Sequence, residues 1–323
     1  MKRWVLLVAG VVAALALGTM LGPTALNPRA VVAALMGTGE HSTTIIVRDL
    51  RVPRVLLAFL VGGSLGVTGA ALQALVRNPL ADPYLLGLSG GAGLGAVTAI
   101  ALRIASPWAV PVAALVGALA AVVLVYRLAL IAGGVLDARV LLLGGVVVGA
   151  FAASLMGAVM AISPAPEVRN ALLWLLGSFG RASWHSLALF SAYAVLPLMV
   201  LYALARALDL LTLGEESAQF LGADVERTKR TLYVAASLLT AVAVSLSGII
   251  GFVGLVVPHA ARLGWGRLHR ALLPATFLLG GMLMVVADAL ARTLFAPVEL
   301  PVGVVTALIG VPVFVLLVRR WAR

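Results

Sequence analysis

The chain has no cysteine among its 323 residues. Disulfides, thiolate metal sites and cysteine nucleophiles are therefore excluded. Lysine is nearly absent as well: Lys2 and Lys229 stand alone, preceded by Met1 and Thr228. A phosphate-binding loop needs Gly-Lys followed by Ser or Thr. None can form here, so any nucleotide hydrolysis must reside on another polypeptide. The four histidines, His41, His185, His259 and His269, stand far apart and offer neither a triad nor a metal-ligand spacing. Charge is scarce too, at 11% of residues against 63% hydrophobic, and the mean hydropathy is +1.14. No soluble core needs that much apolar surface, so the composition predicts a polytopic membrane protein. The net charge of +11 fits loop arginines that fix helix orientation better than a nucleic-acid surface.

What is present is a series of charge-free runs, at 4–28, 55–76, 83–102, 104–126, 140–166, 182–205, 231–261, 271–287 and 300–318. A spanning helix takes about 20 apolar residues. The run 231–261 is long for one span and short for two, and Ser247-Gly248 in its middle is a plausible break. Splitting it gives ten helices in an all-α polytopic fold, read as one transmembrane domain over 1–323. Met1-Lys2-Arg3 and the apolar stretch behind it have features of a secretory leader, with Ala14-Leu15-Ala16 as a cleavage-like site. The uncharged run continues to Pro28, long enough to span, and is read as a retained first helix. An even count puts both termini on one side. With that side inside, Arg29, Arg48, Arg51, Arg54, Arg103, Arg169, Arg181 and Arg292 lie outside, and the other 15 of the 23 basic residues lie inside. The positive-inside rule favours this orientation, with both termini cytoplasmic.

Glycines recur at helical spacing: Gly62, Gly66 and Gly69, continued by Gln73, then Gly87, Gly91 and Gly95, then Gly145 and Gly149. Small residues so spaced let membrane helices approach closely, and packing is the preferred reading. Asp288 is the one acid well inside an apolar stretch, and such acids are candidate proton relays. Arg292 lies one turn on, so a local ion pair is expected instead. His259, after Pro258, is read as capping or packing. The most polar stretch, 206–230, contains Gly214-Glu215-Glu216-Ser217-Ala218-Gln219-Phe220-Leu221-Gly222, which predicts a short surface helix with a glycine stop.

Three blocks carry a resemblance. Arg77-Asn78-Pro79-Leu80-Ala81-Asp82-Pro83 cannot continue a helix and makes a rigid turn between two apolar stretches, followed by Leu85-Leu86-Gly87-Leu88-Ser89-Gly90-Gly91. Gly248 to His259, with Arg262 beyond it, is the second block. Glu299-Leu300-Pro301-Val302-Gly303-Val304-Val305-Thr306 is the third. Together they resemble the FecCD family, the permease subunits of type II ABC importers for iron–siderophores, haem and cobalamin. The resemblance runs from about Arg48 to the end.

It implies a homodimer whose pathway lies on the dimer axis, two ATP-binding cassette ATPase subunits, a substrate-binding protein outside, and no cofactor. It implies that Asn78 and Leu80, with Asp137 and Ala138 at the start of helix five, form the cytoplasmic gate. An acid at 137 departs from the family's small polar residue. Gly214, Ala218, Leu221 and Gly222 match the ATPase-coupling pattern. Arg51, Arg54 and Arg292 match positions that pair with acids of the binding protein. The cargo implied is an iron chelate, siderophore or haem, with cobalamin as the alternative. From a different class, an ion-coupled secondary transporter would need buried acids or unwound helices around a site, and only Asp288 is on offer.

Overall fold

The structure is a computed structural model. It describes residues 1–133 and 136–321, with side chains for all of these except 132–133 and 316–321. Arg319, Arg320 and Arg323 of the charge tally thus fall outside the described side chains. Ten principal helices follow one another: α1 Lys2–Met20, α2 Val52–Val76, α3 Leu88–Ala101, α4 Ala109–Gly133, α5 Ala138–Ala161, α6 Trp184–Ala203, α7 Val225–Ser247, α8 Val253–Trp265, α9 His269–Thr293 and α10 Val302–Trp321. Each corresponds to one predicted span, and the described residues contain no strand. Seven of the ten are long and apolar enough to cross a membrane; α3 is a shorter apolar helix of 14 residues, and α10 is apolar over its described side chains at 302–315. α8 has 13 residues. At about 1.5 Å per residue it reaches roughly 20 Å, less than a hydrocarbon core.

The connections are themselves helical. Pro28–Met36 and His41–Ile45 lead through a π-turn at Ile46–Arg51 into α2. Ala165–Leu175 precedes α6, and Ala205–Thr212 and Glu215–Phe220 lie between α6 and α7. The stretch 4–28, predicted as one helix, stops at Met20, and Asn27 caps a separate helix by accepting from the Arg29 N–H at 3.0 Å.

α2 is the hub, buried along almost its whole length. It runs antiparallel to α9, and the glycines explain how close the two come. A Cβ on Gly62 would strike the carbonyl of Gly280, and a Cβ on Gly66 the carbonyl of Thr276. Further along, a Cβ on Gly69 would collide with the backbone of Gly254 in α8. Gln73, one turn on, donates to the carbonyls of Gly254 at 3.3 Å and Ala81 at 3.4 Å. Gly91 and Gly95 seal α3 against Gly117 and Ala113 of α4, and Gly145 seats α5 on the carbonyl of Leu85. Gly87 stands just before α3 rather than within it. The glycine pattern is therefore packing, as expected.

α1, α4, α5 and α6 carry large exposed apolar side chains such as Leu6, Val116, Phe151 and Leu196. In a membrane such faces meet lipid or another apolar surface.

α7 stops where the sequence predicts. Gly248 has φ +71°, and a Cβ there would meet the Trp174 carbonyl. The strand-like break to Phe252 gathers distant segments. The Tyr84 hydroxyl donates to the Ile250 carbonyl and accepts from its N–H, each at 3.1 Å. Ser178 N–H donates to Ser247 at 2.8 Å, while Val302 and Gly303 N–H donate to Gly177 and Leu176 at 3.0 Å. All three sequence blocks thus meet around this break.

Candidate functional site

Two constellations of polar residues lie at opposite ends of the α2–α9 pair. The first gathers where α2 begins and α9 finishes. Asp288, fully buried, receives Arg292 Nε at 3.0 Å from one turn away, the ion pair expected from the sequence. It also receives Arg54 Nη2 at 2.9 Å, and the same nitrogen lies 2.9 Å from Glu299 Oε2. Arg54 so bridges two carboxylates from segments more than 230 positions away in the sequence.

Arg51 and Arg292 are only 4% and 2% exposed, and this corrects the expectation that they present charge outside. Their guanidinium groups serve α1 instead. Arg292 donates to the carbonyls of Gly18 at 2.9 Å and Leu21 at 3.1 Å. Arg51 donates to Met20 and Thr24, each at 2.6 Å. The last carbonyls of a helix have no intrahelical partner and carry partial negative charge. α1 has no basic residue in its own last turn, so two arginines from α9 and the entry to α2 supply it. Of the three arginines, Arg54 with its partner Glu299 is the one that retains contact with the surface.

The second constellation lies at the other end. α2 stops at Arg77, which adopts a left-handed conformation (φ 54°). Asn78 Oδ1 accepts the Leu80 N–H at 2.9 Å, and Asp82 Oδ1 accepts the Tyr84 N–H at 3.0 Å. The turn is therefore locked by its own side chains. Burial pushes the Asp82 carboxyl up to about 6, against the opposing pull of the Tyr84 N–H. This lies above the ordinary carboxylate range, so the carboxyl's contribution to the turn is fully present below about pH 4 and is lost as pH rises through about 6.

Asp137 caps α5, accepting the Arg139 N–H at 2.7 Å. That gives the acid a structural task which its helix-start position explains. Ala138 follows it as the first residue of α5.

The 206–230 segment folds as two short helices around a small core of Leu211, Ala218 and Val225. Ala218 is 0% exposed, so it faces this core and not a partner. A bulky side chain there would break the loop from within. Gly214 and Gly222 bracket the helix Glu215–Phe220. The exposed large apolar side chains are Leu213, Leu221 and above all Phe220, at 91%. Phe220 was not singled out from sequence: a six-residue helix is too short for periodicity to assign its faces.

Val76 and Arg77, Asp137 to Arg139 and Leu213 to Ser217 together line a polar recess of about 720 Å³. The expected gate residues Asp137 and Ala138 and the coupling residue Gly214 therefore share one cavity wall. Asn78 and Leu80 follow Arg77 on the adjoining turn.

Residues 7–320 match the FecCD transport family. The chain is 44% identical over 282 residues to the cobalamin import system permease of Halobacterium salinarum, covering 86% of this chain and 74% of that one. It is 43% identical over 282 residues to the hemin transport system permease of Yersinia pestis, covering 84% and 82%. It is 36% identical over 304 residues to the Fe(3+)-citrate import system permease of Bacillus subtilis, covering 94% and 90%. A solved metal-chelate type ABC transporter in an inward-facing conformation superposes with a TM-score of 0.86 at 29% identity over 98% of both chains. A ten-helix bundle with a glycine-sealed hub, built from the three sequence blocks that meet at the α7–α8 break, is thus the fold of an ABC-transporter permease, and the chain belongs to the FecCD transport family.

Proposed function

We propose that the protein is the pathway-forming subunit of an ATP-driven importer, working as a homodimer with two ATPase subunits and an external substrate-binding protein. The observation that carries this reading is the polar recess, whose wall joins the end of α2, the start of α5 and the helix Glu215–Phe220. A push on that helix reaches the residues assigned to the gate without passing through the bundle. Phe220 and Leu221 are the ATPase contact: two adjacent large apolar side chains, 91% and 60% exposed on this loop, are the kind of surface that a partner covers. Gly214 and Gly222 set the turns that present them. Asn78, Leu80, Asp137 and Ala138 form the cytoplasmic gate, and both termini lie on that side. Arg54, half-buried but reaching the surface beside Glu299, is the point at which acids of the binding protein engage.

Replacing Phe220 with aspartate is expected to weaken ATPase binding by about 30-fold or more, the effect of removing an apolar anchor at an interface centre. The permease itself should remain folded, since the side chain touches no core. Unchanged affinity, measured by titrating purified ATPase subunit onto the permease in nanodiscs, would put the docking surface elsewhere.

On α5, Leu143, Val147 and Phe151 stand one turn apart and exposed. This face closes on its copy about the dimer axis. With no native cysteine, Leu80→Cys is a clean reporter. It should cross-link between two subunits in one nucleotide state and several-fold less in another. Cross-linking that ignores ATP, or never forms, would remove the gate from the dimer axis.

The cargo is an iron chelate, siderophore or haem, as in the hemin and ferric citrate relatives. Cobalamin is the second reading, favoured by the 44% identity to the Halobacterium permease. Uptake of hemin, ferric citrate and cobalamin by the reconstituted complex separates them.

A further inference from the structure

Lys229 is one of two lysines in the chain and is 4% exposed. It sits in the second turn of α7. Its ammonium lies 2.9 Å from Glu215 Oε2 at the start of the helix Glu215–Phe220, and 3.8 Å from Glu226 Oε2 on its own helix. The other oxygen of Glu226 accepts the backbone N–H of Leu136 at 3.4 Å. Leu136 is fully buried and immediately precedes Asp137. One cation and two carboxylates thus join three segments distant in sequence: the entrance to α5, the short helix and the base of α7.

Only the cation is buried: the Glu215 and Glu226 side chains are 37% and 35% exposed, and pairs that reach solvent contribute little to stability. What the buried lysine imposes is position. Its attraction is steep at contact distance and falls off as the groups separate, so the three segments are held in one arrangement. Glu215 lines the recess described above and Leu136 borders it, so a shift of the short helix pulls on the α5 entrance through Lys229.

We propose that Lys229 is a positioning residue that transmits displacement of the helix Glu215–Phe220 to the gate segment at 136–138. This rests on the reading of that helix as the ATPase contact and of the recess as part of the gate. The test uses the permease with its ATPase subunits in nanodiscs, carrying Leu80→Cys as reporter. N-ethylmaleimide labelling of the cysteine is followed with and without ATP, beside the hydrolysis rate.

The parent should show a labelling rate that changes at least threefold with ATP. Lys229→Met should keep ATPase binding and hydrolysis but lose most of that change. Lys229→Arg should restore it, and Glu226→Ala should lose it as Lys229→Met does, because that carboxylate is the link to Leu136. A lysine needed only for folding would lower ATPase binding and hydrolysis along with the response. A full response in Lys229→Met would overturn the proposal while leaving the docking reading, tested separately by Phe220→Asp, intact. Should Lys229→Met not assemble, Glu226→Ala decides: a lost response with hydrolysis retained supports the proposal and a full response overturns it. A parent that does not respond to ATP overturns the gate assignment and this proposal with it.

Discussion

Asp288→Ala should destabilise the purified subunit by about 3–5 kcal/mol, the cost of removing one partner from a buried ion pair and leaving the other charge uncompensated. The reason is the number of groups that lose their counterion at once. Arg292, 2% exposed, keeps its carbonyl partners on α1 but loses its carboxylate. Arg54 is left with Glu299 alone. Like-charged guanidinium groups then face each other without the acid between them. The expected readout is a large drop in melting temperature in detergent, together with loosening of α1. Arg103→Ala provides the contrast. Its partner Glu167 is bound by an arginine whose side chain is 63% exposed, and exposed pairs contribute about 0–1 kcal/mol. Equal effects of the two substitutions would show that Asp288 is not the keystone of this end of the bundle.

Gly69→Leu should be as damaging by a different route. A Cβ at this position meets the carbonyl, the carbonyl carbon and the Cα of Gly254, all backbone. A flexible side chain could yield, but a helix backbone cannot, so α2 and α8 must separate. Overpacking usually costs about 1–3 kcal/mol where side chains can rearrange, and this site should exceed that range. The separation also breaks the Gln73 hydrogen bonds to Gly254 and Leu255 and strips the turn at 77–83 of its support. Transport should therefore fall even in molecules that still reach the membrane. Gly264→Ala is the control: nothing lies within 4 Å of a Cβ there, and the substitution should be neutral or slightly stabilising. A well-folded, active Gly69→Leu protein would mean the α2–α8 contact is looser than described.

Much of this could be read from sequence where the signal was local. The α7–α8 break lay at a glycine, and the Asp288–Arg292 pair at a one-turn spacing. Glycine faces announced the seams. What escaped was set by distant neighbours. Nothing near Arg54 in the chain points to Glu299, and nothing near Arg51 points to the end of α1. An arginine's exposure is decided by what folds over it, so a charge between apolar runs looked external when two of the three are interior. The same limit applied to Ala218 and Phe220. Both lie in one short helix, and only the tertiary contact with Leu211 and Val225 determines which one turns inward.

The α2–α9 seam has a mechanical corollary. Two helices whose backbones touch through Gly62 and Gly280 cannot slide along each other, because any axial shift drives a side chain into the space that only a hydrogen occupied. They can only travel together. α3 and α4, sealed through Gly91 and Gly117, form a second such plank. Between the planks runs the proline-bounded stretch 77–87, held by its own hydrogen bonds. The freedom left to the bundle is therefore a tilt of one plank against the other, so labels placed within a plank should keep their separation through the transport cycle and labels placed across the two should not.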